Sequence, residues 1–207
     1  MQQPKLSILI PSIPSRVGDL LALYAKLQID IITLGVDVQI LTLMDNMKMS
    51  IGAKRDALVQ AASGEYLAFI DDDDTYFEEY LSSILLALES KPDVVTFKQL
   101  NTIDCKQFYV DFSLHHQYNE EAKFDENGNY YDLKRLPFHV CVWKYEIAKT
   151  ERFADVSYGE DWDWCKRLIP KCSTEVHIDK VLHHYIFNSQ TTEASTESNE
   201  VWSNPNK

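Results

Sequence analysis

The sequence lacks an apolar run long enough to span a membrane, and its first five residues, Met-Gln-Gln-Pro-Lys, do not resemble a signal peptide. Its four cysteines form no Cys-x-x-Cys pair, which gives a structural zinc site little support and is typical of reduced thiols in a cytosolic protein. Basic residues are also few: 20 Lys and Arg against 32 Asp and Glu give a net charge of −12. Because duplex DNA is bound by basic surfaces, this charge argues against duplex binding. We expect a cytoplasmic protein without a transmembrane segment.

The composition is that of an ordinary globular protein. Of the 207 residues, 45% are hydrophobic and 25% are charged, which suits one domain with a sizeable core. The sequence shows neither an internal repeat nor a Pro- or Ser-rich linker, so we predict a single domain over residues 1–187. The polar segment 188–207 follows this domain, and we interpret it as a flexible arm or a lid.

The first half of the chain alternates apolar runs with segments of helical periodicity. The runs predict strands at 5–12, 37–44, 65–71 and 94–99. The periodic segments predict helices at 16–28, at 52–63 with Gly64 as C-terminal cap, and from a capping box at Thr75 to Lys91-Pro92. This order implies an α/β fold with an open, mostly parallel sheet flanked by helices. Farther along we expect strands at 107–114 and 175–187, a helix at 161–169 and a polar turn at 125–129.

Four consecutive carboxylates, Asp71–Asp74, follow the third predicted strand. In open α/β sheets, ligands bind beyond the carboxyl ends of the strands, where this run lies. Adjacent carboxylates repel one another unless a cation or basic side chains neutralise them, and Mg²⁺ or Mn²⁺ prefers such oxygen ligands. Mg²⁺ usually takes only one or two carboxylates and completes its shell with water and phosphate oxygens, which fits a diphosphate site. Part of the run could instead begin a helix, where Asp is favourable.

The same run also matches a different enzyme class. Residues 69–75 fit the Asp-x-Asp-x-Thr pattern of haloacid-dehalogenase-type phosphatases, in which Asp71 would be the nucleophile and Asp73 the general acid/base. That pattern usually lies near the first strand of its fold, whereas here 70 residues precede it. The phosphatase therefore stays as an alternative, together with a non-catalytic module that binds nucleotide sugars.

Four segments, taken in order, resemble the family 2 glycosyltransferases of the GT-A fold. They are Ile-Leu-Ile-Pro-Ser-Ile-Pro-Ser-Arg (8–16), Gly-Ala-Lys-Arg-Asp (52–56), Ala-Ser-Gly-Glu-Tyr-Leu-Ala-Phe-Ile-Asp-Asp-Asp-Asp (62–74) and Gly-Glu-Asp-Trp-Asp-Trp (159–164). Each segment alone is a weak signal, but their order and spacing are fairly specific. The resemblance implies a Rossmann-like GT-A domain with a nucleotide-binding half (1–98) and an acceptor half (99–187). It also implies an inverting transfer of a sugar from a nucleotide diphosphate to an acceptor hydroxyl.

The resemblance places the donor nucleotide at the ends of the first two strands. The implied nucleotide-sugar contacts are Pro11, Ser12, Ile13, Asp45, Lys54, Arg55, Asp71 and Asp72. Asp45 would accept a hydrogen bond from the base, usually uracil, and Arg55 suits phosphate geometry. Family members often carry Tyr-Asn where this chain has Ile13-Pro14, which leaves the base open. Without the resemblance, Lys54 and Arg55 could equally lie on a solvated helix face.

The metal ligands implied by the resemblance are Asp73, Asp71 and a histidine. Asp73 would bind Mn²⁺ or Mg²⁺ directly, within the family's Asp-x-Asp motif. Adjacent strand residues point to opposite faces, so at most one of His183 and His184 can reach the metal. We favour His184, because the residues after it resemble the family's closing segment.

A second acidic pair, Glu160-Asp161, begins the predicted helix near residue 161. Displacement of a nucleotide requires a neutralised leaving group and a base for the acceptor hydroxyl. The pair matches the family's Glu-Asp motif, which implies that Asp161 is the base and that Glu160 positions the acceptor. Alternatively, the two carboxylates could only stabilise the N-terminus of the helix, where negative charge is favourable. The acceptor itself stays open: a glycan, a protein, a lipid-linked sugar or a modified nucleobase.

Overall fold

The computed structural model describes residues 3–104, 106–117, 123–124, 130–131 and 133–187. The first strand, β1 (Leu6–Ser12), is buried along its whole length, as its apolar sequence predicts. It lies between β2 (Val38–Met44) and β3 (Tyr66–Phe69) and is parallel to both. The predicted turn at 125–129, Cys105 and the tail at 188–207 lie outside the described residues.

The remaining strands, in chain order, are β4 (Thr75–Tyr76), β5 (Val94–Ile103), β6 (Lys106–Phe112), β7 (Lys123–Phe124), β8 (Tyr130–Tyr131), β9 (Leu133–Arg135), β10 (Val142–Lys144) and β11 (Glu175–Phe187). The α-helices are α1 (Val17–Leu34), α2 (Ile51–Ala61), α3 (Tyr80–Ala87), α4 (Tyr145–Ala148) and α5 (Glu160–Leu168). Helix α1 extends beyond its predicted end at Gln28, because Ile31 also packs against the core before Gly35 ends the helix. The hydroxyl of Ser50 caps α2 by accepting the amide of Ala53 at 3.0 Å.

The main sheet runs in the order β2-β1-β3-β10-β5-β11-β4, with β6 beside β5 and β9 beside β6. Strand β10 is antiparallel to both β3 and β5 and joins the two parallel parts of the sheet. One face packs against α1 and α3 through residues such as Ile8, Leu27 and Ile84, and the other packs against α2 and α5 through residues such as Phe69 and Trp164. The predicted α/β fold with an open sheet and flanking helices is confirmed. Of the helices described, none has the length and apolar character needed to cross a bilayer.

Two local predictions were wrong. Thr75 does not open a capping box: it pairs in β4 with His184 of β11, and α3 starts only at Tyr80. This long-range strand pairing overrides the local preference for a helix start. Gly64 does not cap α2, which ends at Ala61 and has Ala62, in an extended conformation, as its C-terminal cap. A Cβ at Gly64 would lie 2.6 Å from the backbone nitrogen of Ser7, so glycine is required there by the close approach of β1.

Candidate active site

The acidic run Asp71–Asp74 lies just past the end of β3, next to the end of β1. Asp72 is buried and accepts hydrogen bonds from Ser12 Oγ at 2.7 Å and from Arg16 Nη1 at 3.1 Å. The same Arg16 nitrogen lies 3.0 Å from Asp73 Oδ2. The segment that follows β1 therefore neutralises the middle of the run.

Arg55 of α2 is buried beneath the run and joins it to the start of α5. Its Nη2 donates to both oxygens of Asp71, at 3.0 and 2.8 Å. Its Nη1 donates to Glu160 Oε1 at 2.7 Å and lies 3.8 Å from Asp161 Oδ2. Burial disfavours the charge of Arg55, but these carboxylates hold the pKa of its guanidinium above the ordinary value. Likewise, burial disfavours the charge of Asp71, yet Arg55 and then His139 hold the pKa of that carboxyl well below its usual range.

His139 is a site residue to which no sequence pattern pointed. It lies in the turn before β10, and its buried ring faces both acidic regions. Nδ1 lies 3.5 Å from Asp161 Oδ2, and Nε2 lies 3.9 Å from Asp71 Oδ2. Burial and the charge of Arg55 lower the pKa of His139, which disfavours the protonated ring. A lone histidine in an irregular segment carries no periodicity or spacing that would have marked it.

The two acidic residues at the start of α5 have different surroundings. Glu160 is buried against Arg55, and this burial raises the pKa of Glu160 to about 7 despite the nearby guanidinium. Asp161 is partly exposed, and one of its oxygens accepts the amide of Trp162 at 2.6 Å. Asp161 is therefore the member of the pair that a bound molecule can reach.

Asp73 is compensated by a single basic side chain, that of Arg16. It is partly exposed, and burial together with the charges of Asp71 and Asp72 outweighs Arg16 and raises its pKa to about 6. A cation close to Asp73 would stabilise the ionised form of this carboxylate. Within the described part of the chain, however, no group of three or more His, Cys, Asp or Glu side chains could hold a metal ion by itself. The residues fit a divalent cation only if phosphate oxygens and water complete its shell.

The last carboxylate of the run, Asp74, contacts β11, the strand that carries His183 and His184. Asp74 is buried and accepts the amide of Ile186 at 2.9 Å, so it anchors the loop and does not cap a helix. His183 Nε2 lies 3.6 Å from Asp74 Oδ2, and burial lowers the pKa of this histidine to about 3. His184, which the resemblance favoured as a metal ligand, points to the opposite face. There its Nε2 lies 2.8 Å from Thr102 Oγ1 and its ring stacks on Phe77, so the histidine beside the run is His183.

The predicted base-binding residues meet at the ends of β1 and β2. Lys54 Nζ lies 2.5 Å from Asp45 Oδ1 and donates to the carbonyl of Ser12 at 3.0 Å. The hydrogen bond from Lys54, helped by the amides of Lys48 and Met49, lowers the pKa of Asp45. Lys54 and Arg55 are both buried, so neither lies on a solvated helix face.

The other predicted pocket residues, Pro11 and Ile13, are buried at the end of β1 next to Ser12. The first turn of α2 packs directly against the backbone at Ala154. Gly52 permits this contact, because a Cβ there would lie 1.9 Å from the carbonyl oxygen of Ala154. Trp164 is fully buried and stacks on Phe153, so it is a core residue.

The structure thus brings together Ser12, Arg55, Asp71–Asp73 and Glu160-Asp161 at the ends of β1 and β3 and the start of α5. The family model described as Glycosyl transferase family 2 matches residues 37–145, which is more than half of the chain. The chain belongs to glycosyl transferase family 2. The predicted family membership is confirmed, and so is the GT-A fold, which the following solved structures share with this chain.

Crystal structures of TarS 1–349 from S. aureus have the same fold. One has a TM-score of 0.59 and 16% identity, covering 88% of this chain and 60% of that chain. The complex with UDP-GlcNAc has a TM-score of 0.60 and 14% identity, covering 94% and 63%. The complex with UDP has a TM-score of 0.58 and 15% identity, covering 89% and 61%. The family 2 chain therefore spans less than two thirds of these TarS structures. No curated protein matches its sequence significantly.

Proposed function

We propose that this chain transfers a sugar from a UDP-sugar to an acceptor hydroxyl, with inversion and with a divalent cation. The observation that carries this proposal is the convergence of two acidic regions, the run after β3 and the start of α5, on Arg55 and His139. Inverting transfer needs one charged region at the leaving group and a base across the sugar from it. Family membership supports the reaction type, and the fold shared with TarS in its UDP-GlcNAc and UDP complexes supports the donor class.

Asp161 is the proposed base, because it is the accessible carboxylate at the start of α5. Its second oxygen faces His139 Nδ1 at 3.5 Å, which leaves the first oxygen oriented by the amide of Trp162. As the oxygen of the acceptor hydroxyl attacks the anomeric carbon and the bond from that carbon to the phosphate oxygen of UDP breaks, Asp161 would accept the hydroxyl proton. Glu160 is held by Arg55 and is proposed to position the acceptor side of the site.

Asp73 and Asp71 are the proposed carboxylates for Mn²⁺ or Mg²⁺. A cation at this place would neutralise the diphosphate leaving group. Of the two, Asp73 is the better candidate, because Arg55 already binds both oxygens of Asp71 while Asp73 has only Arg16. His184 would have to leave Thr102 to join them, since it lies on the other face of β11.

The nucleotide is proposed to lie along the ends of β1 and β2. Ser12 and Asp72 are joined by a hydrogen bond there, and Lys54 holds Asp45 in place at the side. Residues 1–98 then form the nucleotide-binding half, residues 99–187 the acceptor half, and 188–207 a tail or lid. The acceptor is proposed to be a glycan, a protein, a lipid-linked sugar or a modified nucleobase.

The test is a donor screen that reads release of UDP, together with thermal stabilisation by UDP and Mn²⁺. Asp161→Asn should keep the stabilisation and lose about 10²–10⁴-fold in turnover, the usual contribution of a general base. Asp163→Asn is the matched control: it lies on the same helix but pairs with Arg167 at the surface, so both readouts should stay unchanged.

Three outcomes would contradict the proposal. Retained turnover in Asp161→Asn would place the base elsewhere. If the chain binds UDP but releases no UDP from any donor, with any acceptor of the panel, it would be a non-catalytic module. Hydrolysis of a phosphomonoester that is lost in Asp71→Asn would indicate a phosphatase, although both oxygens of the required nucleophile are bound to Arg55.

A further inference from the structure

Helix α1 presents an apolar face to solvent. Of the six large apolar residues of α1 that are exposed, five lie on this face: Val17, Leu21, Tyr24, Ile29 and Ile32. The sixth, Leu34, is the last residue of the helix, and helical spacing places it outside this face. The buried residues Leu20, Leu23 and Leu27 occupy a different side, which packs on the sheet. Most surface helices carry charge opposite their buried stripe, so α1 departs from the usual amphipathic pattern. An exposed contiguous apolar surface of this kind marks an interaction site.

The charged residues of α1 do not interrupt this face. They are Asp19, Lys26 and Asp30, which helical spacing places opposite Val17, Leu21 and Ile32. Lys26 donates to the carbonyl of Tyr76, and Asp30 accepts the hydroxyl of Tyr76 at 2.8 Å. This flank of α1 therefore faces β4 and α3. The uncharged flank lies on the other side of α1, and Val38 and Ile40 of the neighbouring β2 pack against the same core cluster as the buried face of this helix.

Strand β2 is an edge strand of the sheet. It pairs with β1 on one side and, among the described strands, has no second neighbour. Its sequence, Val-Gln-Ile-Leu-Thr-Leu-Met, has no charge and no proline, the usual devices that protect an edge. Val38 and Ile40 pack into the core beneath α1, and strand alternation puts the exposed Thr42 and Met44 on that same side.

We propose that two copies of this chain associate through the α1–β2 surface, defined as the five exposed residues of α1 named above and Val38–Met44. A two-fold axis would place β2 antiparallel to β2 and α1 beside α1. Such an axis makes the edge self-complementary, because identical strands offer each other the same alternating N–H and C=O groups. The proposal is independent of the proposed function.

The distribution of charge favours contact between two copies at the α1–β2 surface over contact at other parts of the protein surface. Two chains with a net charge of −12 each repel one another, and desolvated like charges oppose association. The α1–β2 surface has no charged residue in it, and the nearest charges along β2 are at its two ends, the exposed Asp37 before it and Asp45 after it. Asp45, at the end of β2, is already neutralised by Lys54.

The apolar area of the α1–β2 surface is also large enough for a specific dimer interface. With about 200 Å² for a fully exposed large side chain, the exposed apolar residues of α1 and Met44 present roughly 600 Å² per copy. Two copies would then bury roughly 1,200 Å², before the backbone edge of β2 is counted. This value exceeds the level of about 1,000 Å² that separates specific interfaces from incidental ones.

The experiment is light scattering on the size-fractionated chain, from low concentration to about 100 µM, which covers dimers of micromolar affinity. The wild type should show twice the chain mass of 24.0 kDa. Ile32→Glu should return it to 24.0 kDa, by weakening the dimer about a hundredfold or more. Leu86→Glu is the matched control: Leu86 on α3 is as exposed as Ile32, at 75% each, but lies outside the surface.

Circular dichroism checks that each variant is folded. If Ile32→Glu fails to fold, Thr42→Lys on the exposed edge of β2 replaces it and should also give the monomer. A wild type that stays monomeric up to about 100 µM overturns the proposal. So does a dimer that is dissociated equally by Leu86→Glu, or one that neither surface variant dissociates.

Discussion

Replacement of Arg55 by leucine tests the network that joins the two acidic regions. The guanidinium is buried and bonds two carboxylates, Asp71 and Glu160, with Asp161 close by. Leucine leaves these carboxylates without their cation, and removal of one partner from a buried ion pair costs about 3–5 kcal/mol. For a chain of this length, that loss lowers the melting temperature by about 6–20 °C.

Urea unfolding at pH 7 measures the loss of stability, and a matched control separates burial from charge. Arg152→Leu also removes a bidentate arginine, here from Asp56, but its side chain is mostly exposed to solvent. Solvent screens such pairs, so Arg152→Leu should cost only a small fraction of the Arg55 effect. Equal effects of the two variants would show that burial of Arg55 does not matter and would refute the reasoning.

A double-mutant cycle with Glu160→Gln makes the test sharper. If Arg55 stabilises the fold through Glu160, the two changes together should cost less than the sum of the single changes. The expected coupling is about 1–3 kcal/mol, because the residues are in direct contact. Strict additivity would mean that the contact at 2.7 Å does not contribute to stability.

Two further changes test the metal site and the packing of α2. Asp73→Ala should abolish the stabilisation by UDP with Mn²⁺, which at a hundredfold excess over the dissociation constant is about 5–10 °C in melting temperature. An unchanged shift in this variant would refute the assignment of Asp73. Gly64→Ala should lower the free energy of unfolding by about 1–3 kcal/mol, because the new Cβ meets the backbone of Ser7. Urea unfolding would show this, and a neutral result would mean that β1 moves aside without cost.

The sequence predicted those elements whose signals are local. The buried strand β1 is an uninterrupted apolar run, and the last strand was placed at 175–187, where the structure has it. The start of α3 was misplaced, because the pairing of Thr75 with His184 joins residues far apart in the chain. Strand β10 was not predicted at all, since three residues carry too little pattern to distinguish a strand from a loop.

The sequence pointed to most residues of the candidate site but not to the contacts between them. The acidic run and the start of α5 stand out because consecutive carboxylates need compensation, which is a local property. What compensates them is not local: Arg55, which was predicted to lie near the nucleotide, bonds Glu160, a residue 105 positions away. His139 also depends on tertiary placement, because only the folded chain brings it between Asp71 and Asp161.

These connections explain why weak motifs become specific when they occur together. Arg55, Asp71 and Glu160 belong to three separate motif segments, and each would be a buried or half-buried unpaired charge without the others. Unpaired buried charge is costly, so the fold requires all three segments in one chain. The same contacts fix Asp71 relative to the start of α5, where the proposed base lies, since Arg55 holds Asp71 with one nitrogen and Glu160 with the other. The double-mutant cycle on Arg55 and Glu160 therefore measures not only stability but also how firmly the two sides of the site are held together.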